Sequence, residues 1–120
     1  LMGSGVDPHL YKATRDDVAV VLSGDIVFYS GLLLEGKMSD VLVKLSRRQT
    51  VIAVTDSVDR DQLLSASDSG EEFDPHVWMD VSLWSQAANA VSEELGKLDP
   101  NNAETYRANL VRYQEQLHQL

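Results

Sequence analysis

The chain contains no cysteine. Disulfides, thiolate metal sites and cysteine nucleophiles are excluded, so any transition-metal site must be built from imidazole and carboxylate. The missing thiol does not fix the compartment. Basic residues are scarce: ten Lys and Arg stand against nineteen Asp and Glu, a net charge of −9. That balance argues against a nucleic-acid partner, because a phosphate backbone calls for a basic footprint. No apolar run approaches the roughly 18–20 residues that span a bilayer, so this segment is not expected to insert into a membrane. No secretory leader is visible, although the chain starts at Leu1 rather than at a start Met, which leaves room for a removed upstream segment. Enzyme signatures are absent too. Gly3-Ser4-Gly5 lacks the third glycine of a dinucleotide fingerprint, and there is no P-loop, HExxH or nucleophile elbow. Prolines and histidines number three each, and aromatic residues make up 7%.

What is present fits one small soluble domain of 120 residues, 43% hydrophobic and 24% charged. Thr14 before Arg15-Asp16-Asp17 reads as a helix N-cap with acids in the first turn. That helix should stop at Gly24. Asp25–Tyr29 is a short β-branched and aromatic run, hence a buried strand. From about Leu34 a helix is expected, with Leu34, Met38, Val41, Leu42 and Leu45 on one face and Lys44, Arg47 and Arg48 near its C-terminal end. Thr50–Thr55 reads as a second buried strand. Helix, strand, helix, strand implies an α/β layer with parallel pairing. Residues 56–75 hold seven acids and no helical periodicity, so a solvated mobile loop is expected. Asp80 then reads as an N-cap. Trp84, Ala87, Ala88, Val91, Leu95 and Leu98 form a core-facing stripe. Asp99-Pro100 starts the last helix as N-cap and N1. Its stripe is Ala103, Tyr106, Leu110, Tyr113, Leu117 and Leu120, with no cap at the end, as expected of a chain cut inside a helix.

Two of the three prolines and two of the three histidines fall in matched tripeptides, Asp7-Pro8-His9 and Asp74-Pro75-His76. Two readings follow. Asp-Pro is ordinary helix-start grammar, as Asp99-Pro100 followed by Asn101 illustrates, and the histidines would then be incidental. Alternatively, proline stiffens the backbone on either side of each imidazole at the ligand-binding edge of a parallel sheet. Asp7 and Asp74 would orient the rings from behind. Two such imidazoles suit a divalent metal, but they are half of a four-ligand site. A fragment of a His-ligated metal hydrolase is the weaker form of this reading, since no base beyond the two Asp residues is in view.

The segments GVDPHLYKAT, DIVFYSGLLLEGKMSDVLVKL, EFDPHVWMDVSLW and DPNNAETYRANLVRYQEQL together resemble the zinc/manganese substrate-binding proteins of bacterial ABC importers, the TroA-like family. The resemblance runs in order through essentially the whole chain. It implies that His9 and His76 bind Zn2+ or Mn2+; Asp7, Asp74 and Trp78 are the supporting candidates by their nearness in sequence. It implies an α/β fold, a partial three-layer αβα lobe with a short parallel sheet. Residues 1–99 would form the N-terminal metal-binding lobe without its first strand and helix. Residues 100–120 would begin the long interlobe linker helix, and the C-terminal lobe with the other two ligands would be absent. The implied partners are the metal ion and an ABC permease, in an extracytoplasmic location with a possible lipid anchor upstream. A surface adhesin without a transport role is the alternative within the family. The lobe so placed leaves apolar surface uncovered, so self-association or segment swapping is expected. In zinc-specific members the 56–75 region can hold a His-rich loop. Here it has no histidine, which tilts slightly toward manganese or mixed use without settling the metal.

Five further side chains carry expectations. His118 lies off the apolar stripe and should be exposed and not a ligand. Glu35 and Lys37 read as a helix-start acid and a solvated lysine, with docking or salt bridging as the functional option. Trp84 should be core. Trp78 should also be core, or should wall the site two residues beyond His76.

Overall fold

A computed structural model describes residues 1–66 and 72–120. Part of the acidic stretch, 67–71, with Asp68 and Glu71, lies outside the described residues. The regular elements are α1 (Arg15–Leu22), β1 (Ile26–Tyr29), α2 (Ser39–Leu45), β2 (Thr50–Ala53), α3 (Val81–Leu98) and α4 (Ala103–Leu117), with single 3-10 turns between several of them.

The first helix begins where its cap dictates. The Asp17 amide donates to the Thr14 hydroxyl at 3.2 Å and the Thr14 amide donates to the Asp17 carboxylate at 2.7 Å, a reciprocal capping box. The Tyr11 hydroxyl donates to the same carboxylate at 2.6 Å. These bonds, the Tyr11 hydroxyl first, hold the Asp17 carboxyl below its ordinary range. At the other end the helix stops just before Gly24, which does not take a positive φ. Ser23 closes the helix with its amide on Ala19 O and its hydroxyl on Val20 O.

β1 and β2 pair in parallel, Ile26 opposite Thr50 through Tyr29 opposite Ala53. One face of the pair, Val27, Tyr29 and Val51, packs on Val21 of α1, Leu42 and Leu45 of α2, and Met38 just before α2. On the other face, Phe28 and Ile52 border grooves shared with α3. α4 lies along α3, tied by the Trp84 indole N–H donating to the Tyr113 hydroxyl at 2.7 Å and the Gln114 amide donating to Ser85 Oγ at 2.9 Å. The layering is αβα, as expected. Neither strand is fully buried, because the groove on the α3 side stays open.

Several expectations change. The helix expected from Leu34 begins at Ser39, after a 3-10 turn at Gly36–Met38. Gly31, Leu32, Leu33 and Gly36 all have positive φ, which no α-helix accommodates. The buried stripe Leu34, Met38, Leu42, Leu45 nevertheless holds. The strand read through Thr55 ends at Ala53, where the chain turns into a 3-10 segment. The stretch 56–75 is not structureless where described. It holds a 3-10 turn at Arg60–Gln62 and an antiparallel bridge between Ser65 and Phe73, and the Asp74 amide donates to Leu64 O at 2.8 Å. Arg60 covers the Phe73 ring at 4.9 Å and pairs with Glu72 at 3.0 Å. Single-turn elements of this kind leave no periodicity to detect.

On α3, Leu83, Ala87 and Ala90 are buried, while Trp84, Ala88, Val91 and Leu95 line the groove facing α4's Tyr106, Leu110 and Tyr113, and Leu98 is largely exposed. Asp80 caps α3 as expected, accepting from the Ser82 and Leu83 amides. Asp99 does not cap a backbone amide with its side chain. Its carboxylate takes the Asn102 amide group and the Tyr106 hydroxyl instead. α4 ends at Leu117, which is buried, and Leu120 lies beyond it in the open.

Candidate metal centre

Both Asp-Pro-His segments are closed by the same side-chain bond. The His9 amide donates to Asp7 Oδ1 at 2.9 Å, and the His76 amide donates to Asp74 Oδ1 at 2.9 Å. Each Asp therefore satisfies the amide two residues on, an Asx turn, with proline fixing the residue between. Neither segment starts an α-helix. α1 begins at Arg15, and His76 leads only into a 3-10 turn, Val77–Met79. Helix-start grammar does not describe these two turns. Asp99-Pro100 is a different structure, since its carboxylate binds side chains.

The turns meet at the carboxyl end of the parallel pair. The loop 30–36 leaves β1 there. The backbone of His9 lies against Gly36, and Leu32 packs into the cluster of Val58, Val77 and Leu83 that seats the His76 turn. The two imidazole centroids are 5.5 Å apart with planes at 61°. That spacing suits shared coordination. With metal–nitrogen bonds of about 2.0–2.1 Å, each ring centre sits roughly 3 Å from the ion, so a tetrahedral pair of rings is about 5 Å apart.

The two histidines are held differently. His76 Nδ1 lies 2.5 Å from Asp74 Oδ1. Hydrogen bonds from the His76 amide first, and its ring second, hold the Asp74 carboxyl below its ordinary range. An ionised Asp74 only accepts, so Nδ1 carries the proton and Nε2 of the neutral ring keeps its lone pair for a ligand. Asp7 makes no bond to the His9 ring; among the described residues that ring has no hydrogen-bond partner. Trp78 stands edge-on to His76 with centroids 5.2 Å apart. It is 40% exposed, so it flanks the site and is not core, because its turn projects from the sheet edge. Trp84 is half-buried. His118 is exposed at the C-terminus of α4, as expected. Among the described residues, no group of three or more His, Asp or Glu is placed to hold one ion.

The role of Glu35 differs from the helix-start acid expected. It is buried at 8% exposure, and its carboxylate accepts the Ser30 amide at 2.6 Å and the Gly31 amide at 3.2 Å. Lys37 beside it is exposed, as expected. No local signal separates an acid that folds back on a strand end from one that starts a helix.

The fold is that of the TroA-like binding proteins. The solved periplasmic zinc-binding protein TroA from Treponema pallidum superposes with a TM-score of 0.90 at 45% identity, over 98% of this chain and 42% of that one. Manganese-binding lipoprotein MntA of Bacillus subtilis (strain 168) is 43% identical over 120 residues, and zinc-binding protein TroA of Treponema pallidum (strain Nichols) is 46% identical over 120 residues. This chain spans 39% and 38% of their lengths. The family described as zinc-uptake complex component A periplasmic, ZnuA, matches residues 1–120, and the chain belongs to it. The resemblance drawn from the two DPH turns and the Leu-Glu-Gly-Lys-Met segment therefore holds.

Proposed function

We propose that this chain is the N-terminal, metal-capturing part of an extracytoplasmic solute-binding protein that delivers Zn2+ or Mn2+ to an ABC permease. The observation that carries the reading is the pair of imidazoles, His9 and His76, at the carboxyl edge of the parallel strands, 5.5 Å apart. Names of relatives support it: one is called manganese-binding, another zinc-binding. Residues 1–99 act as the metal-binding lobe and residues 100–120 begin the connection to a second lobe, which would supply the remaining ligands. The protein is a carrier, not an enzyme, so affinity and release are its chemistry. His9 and His76 offer neutral nitrogen lone pairs, and protons compete for both.

Calorimetric titration of the protein carrying this chain with Zn2+ and with Mn2+ tests the reading. His9→Ala and His76→Ala should each weaken binding by more than the ~10–100-fold that outer partners control. Affinity should also fall on acidification, because protons compete with the ion for the imidazole lone pairs. Binding undiminished in both variants would sink the assignment.

A further inference from the structure

The proposed ligand His9 has no carboxylate behind its ring, yet it must be held as firmly as His76 to share an ion. Resting on the metal reading above, we infer that Gly36 is the positioning residue for His9, acting through direct contact of backbone on backbone. Gly36 has φ +47°, in the left-handed region. A Cβ built there would overlap the His9 carbonyl oxygen outright, and would lie 2.8 Å from its carbonyl carbon and 3.2 Å from its Cα. The His9 turn therefore sits in a space that exists only because residue 36 has no side chain.

The surface beneath it is rigid. Glu35 ties the loop to the end of β1 through the Ser30 and Gly31 amides. The Thr55 hydroxyl, in the 3-10 segment just after β2, donates to Ser30 O at 2.6 Å. Gly36 closes its own turn by donating to Leu33 O at 2.9 Å. His76 is thus aimed by a carboxylate and His9 by a platform. A side chain at 36 forces the His9 backbone back by roughly 1 Å, beyond the ~0.5 Å that a preorganised site tolerates.

The experiment uses the protein carrying this chain and Zn2+ as probe. Gly36→Ala adds both backbone strain and the overlap. Gly36→Asn tolerates positive φ better but keeps the overlap. Leu45→Ala, buried against α1 and the sheet, lowers stability without touching the site. Both Gly36 variants should lose Zn2+ affinity by about tenfold or more, with the His9 ring resonances displaced in NMR spectra. Gly36→Asn should regain melting temperature over Gly36→Ala without regaining affinity. Leu45→Ala should keep its affinity within about threefold, well inside the range that outer partners control. Wild-type affinity in folded Gly36→Asn, or an equal loss in Leu45→Ala, overturns the positioning role. If His9→Ala abolishes binding while the Gly36 variants bind normally, the positioning role alone fails. If His9→Ala binds like wild type, the metal reading beneath it fails.

Discussion

The unequal support of the two histidines makes a sharp prediction about two aspartates that look equivalent in sequence. Asp74 accepts both the amide of His76 and its ring Nδ1–H, whereas Asp7 accepts the His9 amide alone. Truncation to alanine should therefore separate them. A net hydrogen bond to a charged acceptor is worth about 1.5–3 kcal/mol in a protected setting. The Asp74 side chain is 41% exposed, so solvent screening brings its ring bond down to roughly 1–1.5 kcal/mol. Since about 1.4 kcal/mol is a factor of ten, Asp74→Ala should cost about tenfold in Zn2+ affinity, with the His76 ring free to rotate. Asp7→Ala loosens the turn but frees no ring, and should cost about threefold or less. Asp74→Asn keeps an uncharged acceptor and should fall between wild type and Asp74→Ala. Competition calorimetry at one fixed pH measures all three, with far-ultraviolet circular dichroism as the check on folding. Equal losses from Asp7→Ala and Asp74→Ala, or none from Asp74→Ala, would refute the reasoning.

Glu35→Gln leaves one acceptor oxygen where the carboxylate had two, so either the Ser30 or the Gly31 amide faces an amide donor. The expected cost is about 2–4 kcal/mol in urea unfolding; a change below ~0.5 kcal/mol would show that the clamp does not matter. Acid should destabilise the chain in a defined direction. Asp17, Asp74, Asp80 and Asp99 are all held below the ordinary value of 3.8 by hydrogen bonds. Depressed folded values mean that their contribution is fully present above about pH 4 and is lost as pH falls through those lower values. Melting temperature should be nearly flat from these groups between about pH 6 and 4.5, then drop, and Asp80→Asn should soften the drop. A flat profile down to about pH 3 would contradict the assignment.

The parts of the fold that were legible in the sequence are those written in neighbouring residues. Thr14 and Asp17 specify a cap three residues apart, Asp80 specifies another, and Ile26–Tyr29 and Thr50–Ala53 are β-branched or aromatic enough to be recognised alone. The two DPH turns were visible as a matched pair, but their Asx bonds resemble helix caps until the helix fails to follow. For Trp78 the sequence leaves core and site wall both open, because a tryptophan is usually buried and nothing local says that its turn projects. Glu35 and Gly36 were hidden for a deeper reason. Their roles depend on the ends of β1 and β2 and on the first DPH turn being brought to one place, and no window of adjacent residues contains that information. The arms of 56–75 escaped notice because a 3-10 turn and a lone bridge are too short to show a period.

The Asx turns are closed by bonds between residues two apart, so each imidazole acquires its local setting without help from the rest of the chain. Their meeting does not come so cheaply: it requires the non-local parallel pairing of β1 with β2. An unfolded chain thus presents two isolated histidines, and only the folded one presents a pair. Under the proposed function, cargo and native state are then linked by mass action. An ion at about a hundred times its dissociation constant would add about 2.7 kcal/mol to folding stability. A cell short of metal would hold a softer, more readily degraded population of the same protein, so scarcity would register in the carrier's lifetime as well as in its occupancy.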